Sequence, residues 1–179
     1  MQSRTPQDAE TGPTRTELDT RLSAELASVL AGARRRAVRD GDRQVDTAHL
    51  LHSLMESDPE VRSTLDSGDQ VARLLGYLVQ RSIGYGLQWQ GTVEDSGAVP
   101  LVRSAKETAL SPAAATALDV ALERAGARGE PQARGVDLLA GLVGDPECRA
   151  VEVLGRAGAD ARAVLARIDA GFEEFDLRG

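Results

Sequence analysis

Two histidines, one cysteine and one dense run of arginines are the side chains in this sequence whose spacing invites chemistry. His49 and His52 stand three apart, which on a helix puts both rings on one face and can serve a metal. Only Met55 and Asp58 lie close enough in sequence to supplement them. His52 reads as a surface residue, and no metal is expected. Cys148 falls early in a helix that the pattern starts at Pro146, where a helix N-terminus can lower a thiol's pKa. Without a histidine partner visible in the sequence it reads as a small core residue, and nucleophilic catalysis has no support. Arg34, Arg35, Arg36 and Arg39, with Arg43 just beyond, form the densest basic run. Such a run suits a solvated face near a helix C-terminus, where the dipole favours cations; the other reading is a patch for an acidic partner segment. Phe172 and Phe175 also stand three apart. They either extend the last helix onto the fold or form part of an acidic, aromatic docking segment that runs to Leu177.

The composition narrows what these residues can belong to. The chain has 179 residues, 41% hydrophobic and 27% charged, which suits one folded domain with a substantial core. Aromatics make up 3%, so Leu, Val and Ala must fill that core, and this composition favours helices over strands. The formal charge of -7 opposes broad attraction to nucleic acid or anionic membrane, and there is no helix-turn-helix spelling. Apolar runs fall short of the roughly 20 residues that span a bilayer, and the first 20 residues lack a signal peptide's apolar stretch. With one cysteine no internal disulfide can form, so a cytoplasmic protein is expected. Lys106, the sole lysine, sits between Ala105 and Glu107, which rules out a GxxxxGK[ST] phosphate loop.

The elements that must position these groups are helical. Residues 1–20 are polar and lack an apolar period, so they read as a flexible tail. Leu22, Leu26, Val29, Leu30, Ala33 and Ala37 then follow helical spacing, with Ser23 as the N-cap and Gly41 as the stop. Thr47 to Met55 forms a short buried helix capped by Asp46 or Thr47; Asp58-Pro59-Glu60 opens a third helix and Asp69 a fourth. The pattern recurs. Residues 22–41 align without gaps on residues 110–129, sharing a Leu-Ser start and a glycine stop, and Leu50–Glu60 aligns on Leu138–Glu147 after one deletion. Asp145-Pro146-Glu147 repeats the cap signature, and Asp160 repeats Asp69. The expected architecture is two tandem four-helix units, 21–81 and 110–179, joined by a connector over 82–109. That connector contains Tyr85 and Trp89, the sole tryptophan, and Gly91, Gly97 and Pro100 break any helix in it. Trp89 either covers the seam between the units or anchors a partner.

This spelling resembles the Clp-N, or Clp repeat, family: the amino-terminal domain of the unfoldases ClpC, ClpA and ClpB. The resemblance covers Leu22 to about Gly171 and rests on the order and duplication of its anchors. These are Leu22-Ser23, Leu110-Ser111-Pro112, the stops at Gly41 and Gly129, and Asp46-Thr47-Ala48-His49-Leu50-Leu51, which resembles the family's Gly-Thr-Glu-His-Ile-Leu. It implies an all-α, pseudo-twofold, non-catalytic domain that receives substrates or adaptors. Because no ATPase follows, it also implies a free-standing relative that binds peptides, adaptors or Clp ATPase and protease components. A second implied role is a decoy that sequesters a hydrophobic cyclic peptide aimed at the unfoldase domain. The binding surface carried over is Leu22, Ser23, Thr47, Ala48, His49, Leu110, Ser111 and Val136, with Trp89 as the connector's candidate and no cofactor. In ClpC-type domains the motif's glutamate helps hold phosphoarginine. Ala48 and Val136 stand at those positions here and cannot accept a guanidinium's hydrogen bonds, and the second motif reads Arg134-Gly135-Val136-Asp137. Weak or absent phosphoarginine binding is expected.

Overall fold

The computed structural model describes residues 15–65, 67–82, 94 and 109–178. Among these the chain is all-α, apart from two strands of two residues each. The order is α1 (Arg15–Thr20), α2 (Ala24–Arg39), β1 (Gln44–Val45), α3 (Thr47–Ser57), α4 (Pro59–Arg62), α5 (Gly68–Ser82), β2 (Ala109–Leu110), α6 (Pro112–Ala127), α7 (Gly135–Val143), α8 (Arg149–Arg156) and α9 (Ala161–Asp176). Trp89 and Tyr85 lie outside the described residues.

Local side-chain chemistry fixes most of the boundaries. Ser23 Oγ accepts the Leu26 N–H and Ser111 Oγ the Ala114 N–H, both at 3.1 Å, so each opens its long helix by the same bond. Losing such a cap costs about 1 kcal/mol. Gly41 and Gly129 both take φ of 72°, a left-handed conformation that strains a side chain, and α2 and α6 end just before them. Asp58 Oδ1 accepts from Glu60 and Val61 at 2.9 and 3.2 Å, ahead of Pro59 in the first turn of α4. Asp160 caps α9 through the Arg162 N–H at 2.9 Å.

Three boundaries differ from the sequence reading. Arg15–Thr20, placed in the tail, is helical, and Leu18 packs against the core. The fourth helix starts at Gly68, with Ser67 Oγ accepting the Gln70 N–H at 3.3 Å, so the cap precedes Asp69. Pro146 does not open a helix. Asp145 Oδ1 accepts the Glu147 N–H at 3.0 Å, as Asp58 does for Glu60, but Cys148 is extended and α8 begins at Arg149. Burial explains the delay: Cys148 turns inward and its Sγ lies 3.3 Å from the Leu142 carbonyl oxygen.

The core is built around α3 and α7. Every residue from Thr47 to Met55, and all of α7, is buried, the pattern of helices covered on all sides. α2 packs on α3 and α6 on α7, while α3 and α7 touch each other. A Cβ on Gly141 would collide with the Ala117 carbonyl, so the close approach of α6 and α7 depends on that glycine. Contacts also cross over: α3 packs on α8, and α4 on α7. The chain entries to the helices cross in the same sense. Val45 pairs in parallel with Leu110, and Leu22 with Ala133. The Ser111 N–H donates to the Val45 carbonyl and the Ser23 N–H to the Ala133 carbonyl, each at 2.9 Å. These pairings bring the start of each long helix beside the start of a central helix from the other aligned segment.

Candidate functional site

Among the described residues there are two such junctions, and most of the residues expected to bind a partner lie in them. Leu22, Thr47, Ala48, His49, Ser111 and Val136 are buried, while Leu110 and Ser23 are half-buried. Ser23 and Val136 nevertheless line an open cleft.

The first junction gathers Thr47 at the start of α3, Ser111 at the cap of α6 and Arg149 at the start of α8. Glu94 fills it. Its carboxylate accepts from the Thr47 N–H at 2.8 Å, the Thr47 hydroxyl at 2.5 Å, the Ser111 hydroxyl at 2.8 Å and the Arg149 N–H at 2.8 Å. Asp46 beside it caps α3, accepting the His49 N–H at 2.8 Å and pairing with Arg149 at 2.9 Å and with Arg81. Burial opposes ionisation of Asp46, but the hydrogen bonding at His49 and the Arg81 guanidinium outweigh it and hold its carboxyl below the usual range. The sequence reading missed Glu94. It stands beside Asp95 in the connector, where no local spacing marks it, and its contacts give it away.

The second junction is open. A cleft of about 530 Å³ lies between α4, the turn before α7 and the inner face of α9; Ser23, Thr64, Val136, Arg167, Ile168 and Phe172 are among its walls. Arg167 Nη1 donates to the Thr64 carbonyl at 2.7 Å, and Arg134 pairs with Glu60 at 3.2 Å and Glu130 at 3.8 Å. The hydrogen bond from Arg128 holds the Glu130 carboxyl below its ordinary range. Phe172 supports this rim from beneath, with the Arg128 guanidinium 3.8 Å and the Arg134 guanidinium 4.8 Å from its ring centroid. The two readings of the C-terminal aromatics therefore divide between them. Phe172 packs on the fold, whereas Phe175, also on the cleft, is 77% exposed and Leu177 is 87% exposed.

The reactive side chains lie outside the cleft. Burial pushes the Cys148 thiol up to about 11, which leaves it protonated at neutral pH and a poor nucleophile. His52 is buried rather than at the surface, because both faces of α3 are covered; burial first, then the Arg36 charge, pushes it down to about 4 against the pull of Glu56. His49 Nδ1 accepts the Asp46 N–H at 3.0 Å. Its Nε2, which then carries the proton, faces Asp42 at 2.9 Å and Asp40 at 3.8 Å. The basic run is divided, since Arg36 pairs with Glu56 and Arg39 with Asp40 at 3.4 Å. The cleft itself combines an apolar floor with charged groups at its rim.

No family model matches the sequence, and no curated protein matches it. Solved structures do. The N-terminal domain of the chaperone ClpD from Arabidopsis thaliana superposes with a TM-score of 0.60 at 18% identity, covering 91% of this chain and 99% of that one. The N-terminal domain of the ClpV1 ATPase from E. coli gives 0.51 at 22% identity, over 83% and 84%. The chain has the Clp N-domain fold. A structure from work on the type VI secretion ATPase ClpV agrees, with a TM-score of 0.60 at 21% identity over 89% and 94%. Within this Clp-N-like domain, no helix among the described residues is long and apolar enough to cross a membrane.

Proposed function

We propose that this Clp-N-like chain is a non-catalytic peptide-binding module that modulates Clp-dependent proteolysis or protein quality control, engaging substrates, adaptors or the Clp machine through the cleft beneath α9. The observation that carries this reading is the cleft itself. It joins two of the residues carried over from the family, Ser23 and Val136, to an apolar floor and the exposed ring of Phe175. An extended segment would place apolar side chains against Ile168, Val136 and Phe172, while Arg134 and Glu60 at the rim fix its polar groups. Trp89 is retained as a connector-borne candidate for partner contact.

The test is peptide-array screening followed by fluorescence anisotropy with the best binder. Phe175→Ser alters an exposed side chain, so it should leave the fold intact and weaken binding about tenfold, as expected for loss of an aromatic contact. Equal affinity of the variant and the parent would reject the cleft. The same volume also falls within the range of small-molecule sites, about 300–1,000 Å³, which favours as a second reading the sequestration of a hydrophobic cyclic peptide. Binding of such a compound without association with a Clp ATPase in gel filtration would select that reading. Low-micromolar phosphoarginine affinity by calorimetry would contradict the loss expected from Ala48 and Val136.

A further inference from the structure

We infer that the junction of α3, α6 and α8 is a carboxylate-binding site that the chain occupies with its own Glu94. Each carboxylate oxygen takes two donors: Oε1 from the Thr47 N–H and the Ser111 hydroxyl, Oε2 from the Thr47 hydroxyl and the Arg149 N–H. These donors come from three helices, and Glu94 stands 47 residues from Thr47 and 55 from Arg149 in the chain. The two N–H groups belong to first helical turns and have no acceptor within their own helices. Both hydroxyls are already committed as acceptors, Thr47 Oγ1 from the Ala150 N–H at 3.0 Å and Ser111 Oγ from the Ala114 N–H, so their protons are left to point at the carboxylate. Thr47 and Ser111 are buried, so water does not replace the missing acceptor at little cost.

The chemistry selects a carboxylate over its amide. Four donors converge on two oxygens, and an amide would present its own N–H groups to two of them. The Arg149 and Arg81 guanidiniums are engaged with Asp46, so recognition at the Glu94 oxygens comes from neutral donors and helix starts. When Glu94 is removed, the site is left shaped for a carboxylate supplied from outside, such as acetate or an acidic peptide side chain. This inference is independent of the cleft beneath α9.

The test uses the full chain, with Glu94→Ala and Glu94→Gln, and acetate titrated against chloride at constant ionic strength. Glu94→Ala should lower Tm by roughly 5 °C or more, given several lost bonds in a chain of this size. Acetate should then raise its Tm with a saturating dose dependence. The parent and Glu94→Gln should not respond, because a side chain still fills the site. An equal acetate response in all three proteins, or none in Glu94→Ala, would overturn the inference. Should Glu94→Ala fail to fold in chloride, a higher refolding yield in acetate supports the inference and an unchanged yield refutes it.

Discussion

Asp40 and His49 tie the end of α2 to the start of α3, and at the aligned positions Arg128 and Asp137 tie the end of α6 to the start of α7. The polarity is exchanged: the acid ends the long helix in the first segment and starts the central helix in the second. The strength is not the same. His49 Nε2 sits 3.8 Å from Asp40, whereas Arg128 grips Asp137 through both nitrogens at 2.8 and 2.9 Å while the Arg134 N–H adds a third bond at 2.9 Å. The helix starts diverge as well. Thr47 offers a hydroxyl and receives Glu94, but Gly135 stands in its place in the second segment, beside Asp58 and the open cleft. The position demands a partnered polar pair, whereas the direction of its charge and the occupancy of the neighbouring junction are free to change.

The largest effect that would sharpen this contrast is expected at Asp137, which is fully buried. Asp137→Ala removes two bonds from Arg128, which keeps its bond to Glu130, and leaves the Arg134 N–H without its acceptor, and should cost about 3 kcal/mol in urea unfolding. A loss below that of His49→Ala would erase the difference between the pairs. Acid should next distinguish the two segments, since both histidines lie in the first. His52 is pushed from 6.5 down to about 4 in the fold, so the unfolded chain binds more protons between those values. The His52 contribution to stability then falls as pH drops below 6.5 and levels off near 4, a loss of up to about 3 kcal/mol. His52→Gln should flatten that slope, and an unaltered pH profile would rule out His52 as its source. Third, Gly135→Thr imports the first segment's residue, and its Cβ would collide with Asp58 Oδ2. A loss of about 2 kcal/mol is expected, partly recovered in the Asp58→Ala background; simple additivity would show that the two sites do not interact. The smallest effect tests likeness rather than difference. Gly41→Ala and Gly129→Ala share a φ of 72° and open surroundings, so each should cost about 1 kcal/mol, and unequal losses would mean the two stops are not equivalent.

What could be read from the sequence follows how far each signal reaches. Ser23, Ser111, Asp58 and the two glycine stops act on their own next few residues, so spacing alone revealed them. The apolar stripes of α2 and α5 were equally plain, because one face of each meets solvent. His52 was misjudged because α3 is covered all round, so periodicity could not tell one face from another. Pro146 carried a valid cap signature that lost to the inward pull on Cys148. At the candidate cleft, Ser23 and Val136 came from the family pattern. Phe172's arginine neighbours required the fold, since Arg128 and Arg134 lie far from it in sequence. Glu94 was invisible for the same reason in stronger form: its partners belong to three separate helices.

The crossing of the chain entries has a kinetic consequence. Leu22 meets Ala133, and Thr47 bonds Ala150 across 103 residues, so neither central helix gains its full cover until the distant segment arrives. Most of the loop-closure entropy must be lost before these contacts form, which places the rate-limiting step at the meeting of the two segments. A chain cut between 95 and 108 should therefore yield fragments that are poorly ordered apart and regain helicity together, with a refolding rate that depends on fragment concentration.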